Sequence, residues 1–221
     1  MKITIFGATG GIGGQAVRQA VAAGHDVTAA VRHPGRLADG VRAVQVDLDA
    51  PDQGALVTAV AGADAVLSGL GPRSLAETGI ASRGTRAIVA AMQAAGARRL
   101  IVVSAAPIGT VPSPARPHPP RHDPGEGFFT RHVAVPAIKM LLRKPYADLA
   151  LMEDAVTGSG LDWTIVRPPR LTNRPLTGSY RTAYGRNLKR GLIISRADVA
   201  HLMLRLIAEP GSIGQTVGIA S

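Results

Sequence analysis

Short runs of Val, Ile and Leu alternate with longer stretches in which apolar positions recur at helical spacing, and the alternation holds from the N-terminus to residue 104. The short runs predict strands over Lys2–Phe6, Asp26–Val31, Arg42–Val46, Ala65–Ser68 and Leu100–Ser104. Between them the pattern predicts helices. One covers Ile12–Ala23 and stops at Gly24, one runs from Asp52, a good N-cap, to about Ala61, and one runs from Ser82 to Ala95 with a stop at Gly96. Leu100-Ile101-Val102-Val103 is apolar on both faces, as a strand covered by helices on both sides must be. Strand and helix in this order build a doubly wound, parallel α/β sheet, the Rossmann architecture.

The pattern changes after Ser104. Seven of the sixteen prolines fall between residues 107 and 124, which no regular helix or central strand tolerates, so this stretch reads as a long functional loop. A basic amphipathic segment, Val133–Lys144, follows and is expected to act as a lid or packing element. Beyond it the sequence predicts a helix over Tyr146–Thr157, a strand over Asp162–Arg167, a short strand near Ser179–Thr182, a helix over Arg196–Ala208 and a last strand near Thr216–Ile219. The whole, residues 1–221, is expected to be one domain. Residues 1–104 form its dinucleotide-binding core, 105–145 the Pro-rich loop and lid, and 146–221 the substrate side.

Composition narrows the chemistry. With no cysteine among 221 residues there is no disulfide, thiol nucleophile or Cys-held metal. His118, His122 and His132 have no standard metal-ligand spacing, so no metal is expected. The opening apolar run is too short for a signal peptide, and no stretch reaches the 18 or so residues of a membrane span. A soluble, cytoplasmic protein is therefore expected. The formal charge of +10 raises nucleic acid as a partner, but seven aromatic residues leave little for base stacking, and no nucleic-acid or membrane partner is expected. The charge has a local feature instead: residues 163–197 hold eight basic side chains (Arg167, Arg170, Arg174, Arg181, Arg186, Lys189, Arg190, Arg196) and no acidic one. That stretch is expected to attract an anionic small molecule. Glu153 and Asp154, on the helix before it, read as solvated carboxylates.

The strongest motif is Gly7-Ala8-Thr9-Gly10-Gly11-Ile12-Gly13, directly after the first strand and opening the first helix. Glycines there permit a tight turn and let the backbone approach a pyrophosphate, whose charge rests against the positive end of the helix. The second strand ends at Arg32, with Arg36 close behind, where an NAD-preferring site places Asp or Glu; a guanidinium pairs with a 2′-phosphate, so NADP(H) is the expected cofactor. Asp47 and Leu48 after the third strand are placed to face the adenine. Gly69, Leu70, Gly71 and Arg73 after the fourth pass close to the cofactor. No Tyr-x-x-x-Lys pair exists, since Tyr146, Tyr180 and Tyr184 are followed four residues later by Ala150, Tyr184 and Leu188. Without that built-in acid, the favoured acceptor is one that takes its proton from water, of which oxidised flavin is the plainest example.

Several segments together resemble the atypical short-chain dehydrogenase/reductase group with NAD(P)H-binding, NmrA-like domains, and within it the flavin reductase/biliverdin-IXβ reductase family. They are Phe6–Gly10 with Arg32, Ala61–Val66, Gly84–Met92, Ser159–Pro169, Pro175–Tyr180 and Ile194–Ala200. The resemblance covers nearly the whole chain and implies a single-domain reductase that stacks a flavin or linear tetrapyrrole over NADPH. It implies that the nicotinamide lies near Val103, Ser104 and Ala105 and against Pro168, Pro169, Arg170 and Leu171, with Ser104 and Arg170 as the candidate catalytic residues. Two departures stand out. Ser104-Ala105-Ala106 replaces Thr-Ser-Ala after the fifth strand, and Arg170 replaces a histidine, so biliverdin specificity does not carry over. The expected function is hydride transfer from NADPH to a flavin or similar conjugated acceptor. Two other readings share these features: a non-catalytic NADP-binding redox sensor with a regulatory partner, and a biosynthetic reductase of a specialised metabolite.

Overall fold

A computed structural model describes residues 1–37, 40–71, 79–123 and 143–221. Arg73 and most of the amphipathic segment, residues 133–142, lie outside the described residues. The elements of the first half are β1 (Lys2–Phe6), α1 (Gly11–Ala22), β2 (Asp26–Val31), β3 (Arg42–Gln45), α2 (Gln53–Val60), β4 (Ala65–Ser68), α3 (Ile80–Ala95) and β5 (Arg99–Val103). Those of the second are α4 (Arg143–Thr157), β6 (Asp162–Arg167), β7 (Arg170–Thr172), β8 (Arg181–Tyr184), β9 (Ile193–Ser195), α5 (Arg196–Ile207) and β10 (Gln215–Ala220).

Eight strands form one sheet in the order β3-β2-β1-β4-β5-β6-β10-β8. The chain leaves β1 in one direction to build β2 and β3 and in the other to build β4 to β6, so the order reverses between β1 and β4. The sheet is the expected Rossmann sheet with one amendment: edge strand β8 pairs antiparallel to β10, from Val217 opposite Tyr184 to Ala220 opposite Arg181. A second, two-stranded sheet, β7 with β9, was not anticipated, because three-residue strands carry no readable alternation.

The period of two along the strands sorts side chains into two cores. Phe6, Val66, Leu100, Val102 and Ile165 face α2, α3 and α4, where Leu56, Ile88, Met92 and Met152 meet them. Ile3, Ile5, Leu67, Ile101 and Val166 face α1 and α5, where Ala16, Val17, Leu202, Met203 and Leu206 meet them. Residues of the central strands are buried on both faces, as the unbroken apolar runs require. Among the described residues, no helix is long and apolar enough to cross a membrane.

Helix α3 starts at Ile80, two residues before the Ser82 expected from sequence, because its cap is not local. Asp148 of α4 is buried, and its carboxylate accepts from Gly79 N (3.0 Å), Ala81 N (3.1 Å) and Ser82 N (3.1 Å). One side chain thus satisfies three donors of the α3 N-terminus and pins α4 to it. Asp148→Ala leaves those amides without their acceptor and is expected to lower unfolding stability by about 2–3 kcal/mol, measured by urea denaturation.

Candidate functional site

Where the strand order reverses, three stretches of main chain meet without room for side chains. Gly7 has φ +71°, a left-handed conformation, and an added Cβ would stand 3.0 Å from the Gly69 carbonyl. A Cβ on Gly13 would fall 2.2 Å from the Gly7 oxygen, and one on Gly69 3.2 Å from Gly13 N. Hydrogen bonds close the arrangement, with Gly10 N donating to Gly7 O at 2.8 Å and Gly69 N to Phe6 O at 3.1 Å. Helix α1 therefore begins flush against the ends of β1 and β4. Its first turn has no acidic residue and its N-cap, Gly10, supplies no side-chain hydrogen bond; Thr9 and Gly11 beside it are exposed. Ile12 is buried and anchors the turn in the core.

The other predicted residues gather along the same edge of the sheet. Leu48 and Leu70 converge on α3, where a Cβ on Gly84 would lie 3.2 Å from a Cδ1 of each. Gly71 is exposed just beyond. Arg32, at the end of β2, donates from Nη2 to Asp49 Oδ2 at 2.7 Å, and its Nε is 3.6 Å from Asp47 Oδ1. Arg83 of α3 stands 3.7 Å from the other Asp49 oxygen, so a second guanidinium, not anticipated from the sequence, joins Arg32 there. All four side chains are about half exposed, and such pairs hold their partners weakly. Arg36 ends a 3₁₀ turn, Pro34–Arg36, close behind.

On the other side of the reversal, β5 and β6 are joined beyond their ends. Ser104 N donates to Val166 O (2.8 Å) and Ala106 N to Pro168 O (2.9 Å), which sets Val103, Ser104 and Ala105 beside Pro168 and Pro169. Arg170 is exposed and opens β7, and Leu171 packs on the α1/α5 core. The described part of the Pro-rich stretch leads from this junction to Asp123. It contains a 3₁₀ helix, Ala106–Thr110, and Asp154 accepts from Ser113 Oγ (2.8 Å) and Ala115 N (3.1 Å).

Two expectations are corrected here. Glu153 is not a solvated carboxylate: it is 2% exposed, accepts from Ser104 Oγ at 2.6 Å, and takes Arg167 Nε at 2.9 Å and Nη2 at 2.6 Å in a two-pronged pair. Asp154 is likewise engaged. Arg167 in turn is 8% exposed and already neutralised, so it does not belong to the stretch that attracts an anion. The helix spacing of residue 153 alone suggests a solvated face; its cation lies on another element, and that pairing has no local signature. A buried pair of this kind is costly to break, about 3–5 kcal/mol if one partner is removed. It also decides what Ser104 can do. The hydroxyl donates its one proton to the Glu153 carboxylate, leaving only lone pairs to face the junction.

None of the three tyrosine hydroxyls is held below its ordinary pKa. Burial raises the Tyr146 and Tyr180 hydroxyls, and the hydrogen bond to Glu209 pushes Tyr184 up to about 12. Tyr180 is bonded to His201 Nδ1 at 2.7 Å, and Tyr184 sits on edge strand β8, two strands out from β6.

A model for NAD(P)H-binding proteins matches residues 7–210. The chain belongs to the NAD(P)H-binding family. Several solved structures share its fold. A short-chain dehydrogenase/reductase from Veillonella parvula in complex with NADP is 19% identical, with TM-score 0.75, over 100% of this chain and 94% of that one. ChuY, an anaerobilin reductase from Escherichia coli O157:H7, is 22% identical, with TM-score 0.76, over 100% and 97%. The oxidoreductase ylbE from Lactococcus lactis is 21% identical, with TM-score 0.78, over 100% and 91%.

The start of α5 borders the site and is held by one carboxylate. Asp198 accepts from Ser195 Oγ (2.7 Å), Thr177 N (2.9 Å) and Gly178 N (3.0 Å), fastening the 177–178 turn to the helix. Burial alone would raise its pKa, but the hydrogen bonds from Ser195, Thr177 and Gly178 outweigh it and hold the carboxyl below its ordinary value. A depressed folded-state pKa means this contribution is complete above the unfolded value of about 4 and is lost as pH falls through the lower folded one. The stability of the wild type is therefore expected to fall more steeply than that of Asp198→Asn below about pH 4, measured by denaturant titration across pH.

Proposed function

We propose that this chain is an NADPH-dependent reductase that passes hydride to a flavin or a similar conjugated small-molecule acceptor. The observation that carries the cofactor half is the contact of Gly7, Gly13 and Gly69 beneath the uncapped start of α1. A backbone packed that tightly, with no side-chain cap and no competing carboxylate in the first turn, fits a pyrophosphate. In this reading Gly7, Thr9, Gly10, Gly11, Ile12 and Gly13 hold the pyrophosphate, and Leu48 and Leu70 flank the adenine with Asp47, Gly69 and Gly71 around it. Arg32, with Arg36, takes the 2′-phosphate. The weak, half-exposed pairs of Arg32 with Asp47 and Asp49 leave it free to exchange a carboxylate for a doubly charged phosphate. Val103, Ser104, Ala105, Pro168, Pro169, Arg170 and Leu171 receive the nicotinamide end.

NADPH, when bound, supplies the hydride. What the chain contributes is position and dryness. Ser104, its proton committed to Glu153, accepts a hydrogen bond and so orients a carboxamide N–H group. Pro168 and Ala105 offer an apolar floor, and the Pro-rich stretch shields the junction from water. Exposed Arg170 is the cation available to an anionic acceptor at the rim. The absence of a tyrosine of lowered pKa, and of a free serine proton, supports an acceptor protonated from solvent. The anaerobilin reductase on this fold is in keeping with a conjugated acceptor.

NADPH oxidation should be measured with FMN, FAD and riboflavin, alongside small ketones. The expected outcome is turnover with the flavins and none with the ketones, and Arg32→Ala is expected to raise the NADPH KM by about 10–100-fold while barely moving that of NADH. Tight NADP+ binding without turnover of any acceptor would instead establish the non-catalytic sensor.

A further inference from the structure

Arg196 belongs to the C-terminal third, yet its side chain lies across the glycine loop near the other end of the chain. A Cβ on Gly11 would stand 2.5 Å from Arg196 Cδ and 2.7 Å from Nε, so the arginine stem covers that glycine directly. Its Nη1 donates to Asn173 Oδ1 at 2.7 Å, a neutral acceptor. Among the described residues, the guanidinium forms no ion pair. The carboxylate nearest it in sequence, Asp198, is already engaged by Ser195, Thr177 and Gly178.

The placement is electrostatically one-sided. The uncapped start of α1 is a positive helix end, and Arg196 brings a full positive charge to it while standing in the first turn of its own helix, where a cation is disfavoured. Among the described residues, no carboxylate pairs with the guanidinium and none lies in the first turn of α1. A convergence of N–H groups and a fork-shaped cation over a Cβ-free surface is complementary to a diester anion with oxygens on two sides.

We infer that Arg196 is a clamp for the cofactor pyrophosphate, closing over it from the side opposite the α1 amides, with Asn173 aiming the guanidinium. The inference rests on the reading of the glycine loop as the dinucleotide site and extends it by making the pyrophosphate grip two-sided. The clamp also gives a reason for β7, β9 and the start of α5 to lie where they do, since Asn173 directly follows β7 and Arg196 directly follows β9.

The test is calorimetric titration of wild type, Arg196→Gln and Asn173→Ala with three ligands: NADP+, ADP-ribose and 2′-AMP. The first two carry a pyrophosphate and the third does not. Arg196→Gln is expected to weaken NADP+ and ADP-ribose by about 10–100-fold and leave 2′-AMP unchanged, with Asn173→Ala giving a smaller loss of the same pattern. Unchanged ADP-ribose affinity in Arg196→Gln overturns the clamp while leaving the dinucleotide site standing. An equal loss for all three ligands, with lowered thermal stability, also overturns it, by showing a structural role. If wild type binds none of the three, the dinucleotide reading itself fails.

Discussion

Everything in the site depends on a place where backbone touches backbone. Gly7, Gly13 and Gly69 stand so close that a methyl group on Gly13 would overlap the Gly7 oxygen, at 2.2 Å. This contact sets the distance between helix α1 and the ends of β1 and β4, and therefore the direction of the helix's leading N–H groups. It also lies where the sheet reverses its order, the place at which loops of a doubly wound sheet diverge to opposite faces. Leu48, Leu70 and Arg32 follow as neighbours on one side, and Ser104 and Pro168 on the other.

A second constraint governs the chemistry rather than the shape. Glu153 and Arg167 form a buried ion pair between α4 and β6, and Ser104 completes it from the end of β5. Replacing such a pair with apolar residues is often neutral for stability, so its presence is better explained by what it specifies. It specifies the direction of one proton. A serine that donates into the protein interior is an acceptor toward the junction, and a site built this way orients a partner without acidifying it. Together with three tyrosines whose hydroxyls are harder to ionise than usual, this supports the proposed reliance on proximity and exclusion of water.

The readable parts of the molecule were those written in neighbouring residues. Strand, glycine turn and helix at the N-terminus, the Asp52 cap of α2, whose side chain accepts from Gly54 N at 2.8 Å, and the doubly apolar runs of β4 and β5 all carry their cause within a few positions. What stayed hidden was long-range. The cap of α3 comes from Asp148 on another helix, the partner of Glu153 from a separate strand, and the cover of Gly11 from Arg196. Charge counting misled for the same reason. Of the basic residues behind the formal +10, Arg167 is neutralised in the core, and Arg99 is 8% exposed and spends its donors on Thr164, Leu206 and Ser212.

The central claim, that the chain lays NADPH across the reversal point with its pyrophosphate on the start of α1, is tested most directly by a crystal structure of the NADP+ complex. The account predicts pyrophosphate oxygens within hydrogen-bond distance of the Gly11 and Ile12 amides, the 2′-phosphate against Arg32, and the nicotinamide between Ser104 and Pro168. A dinucleotide seated away from the glycine loop, or bound with its adenine end at Ser104, would contradict it.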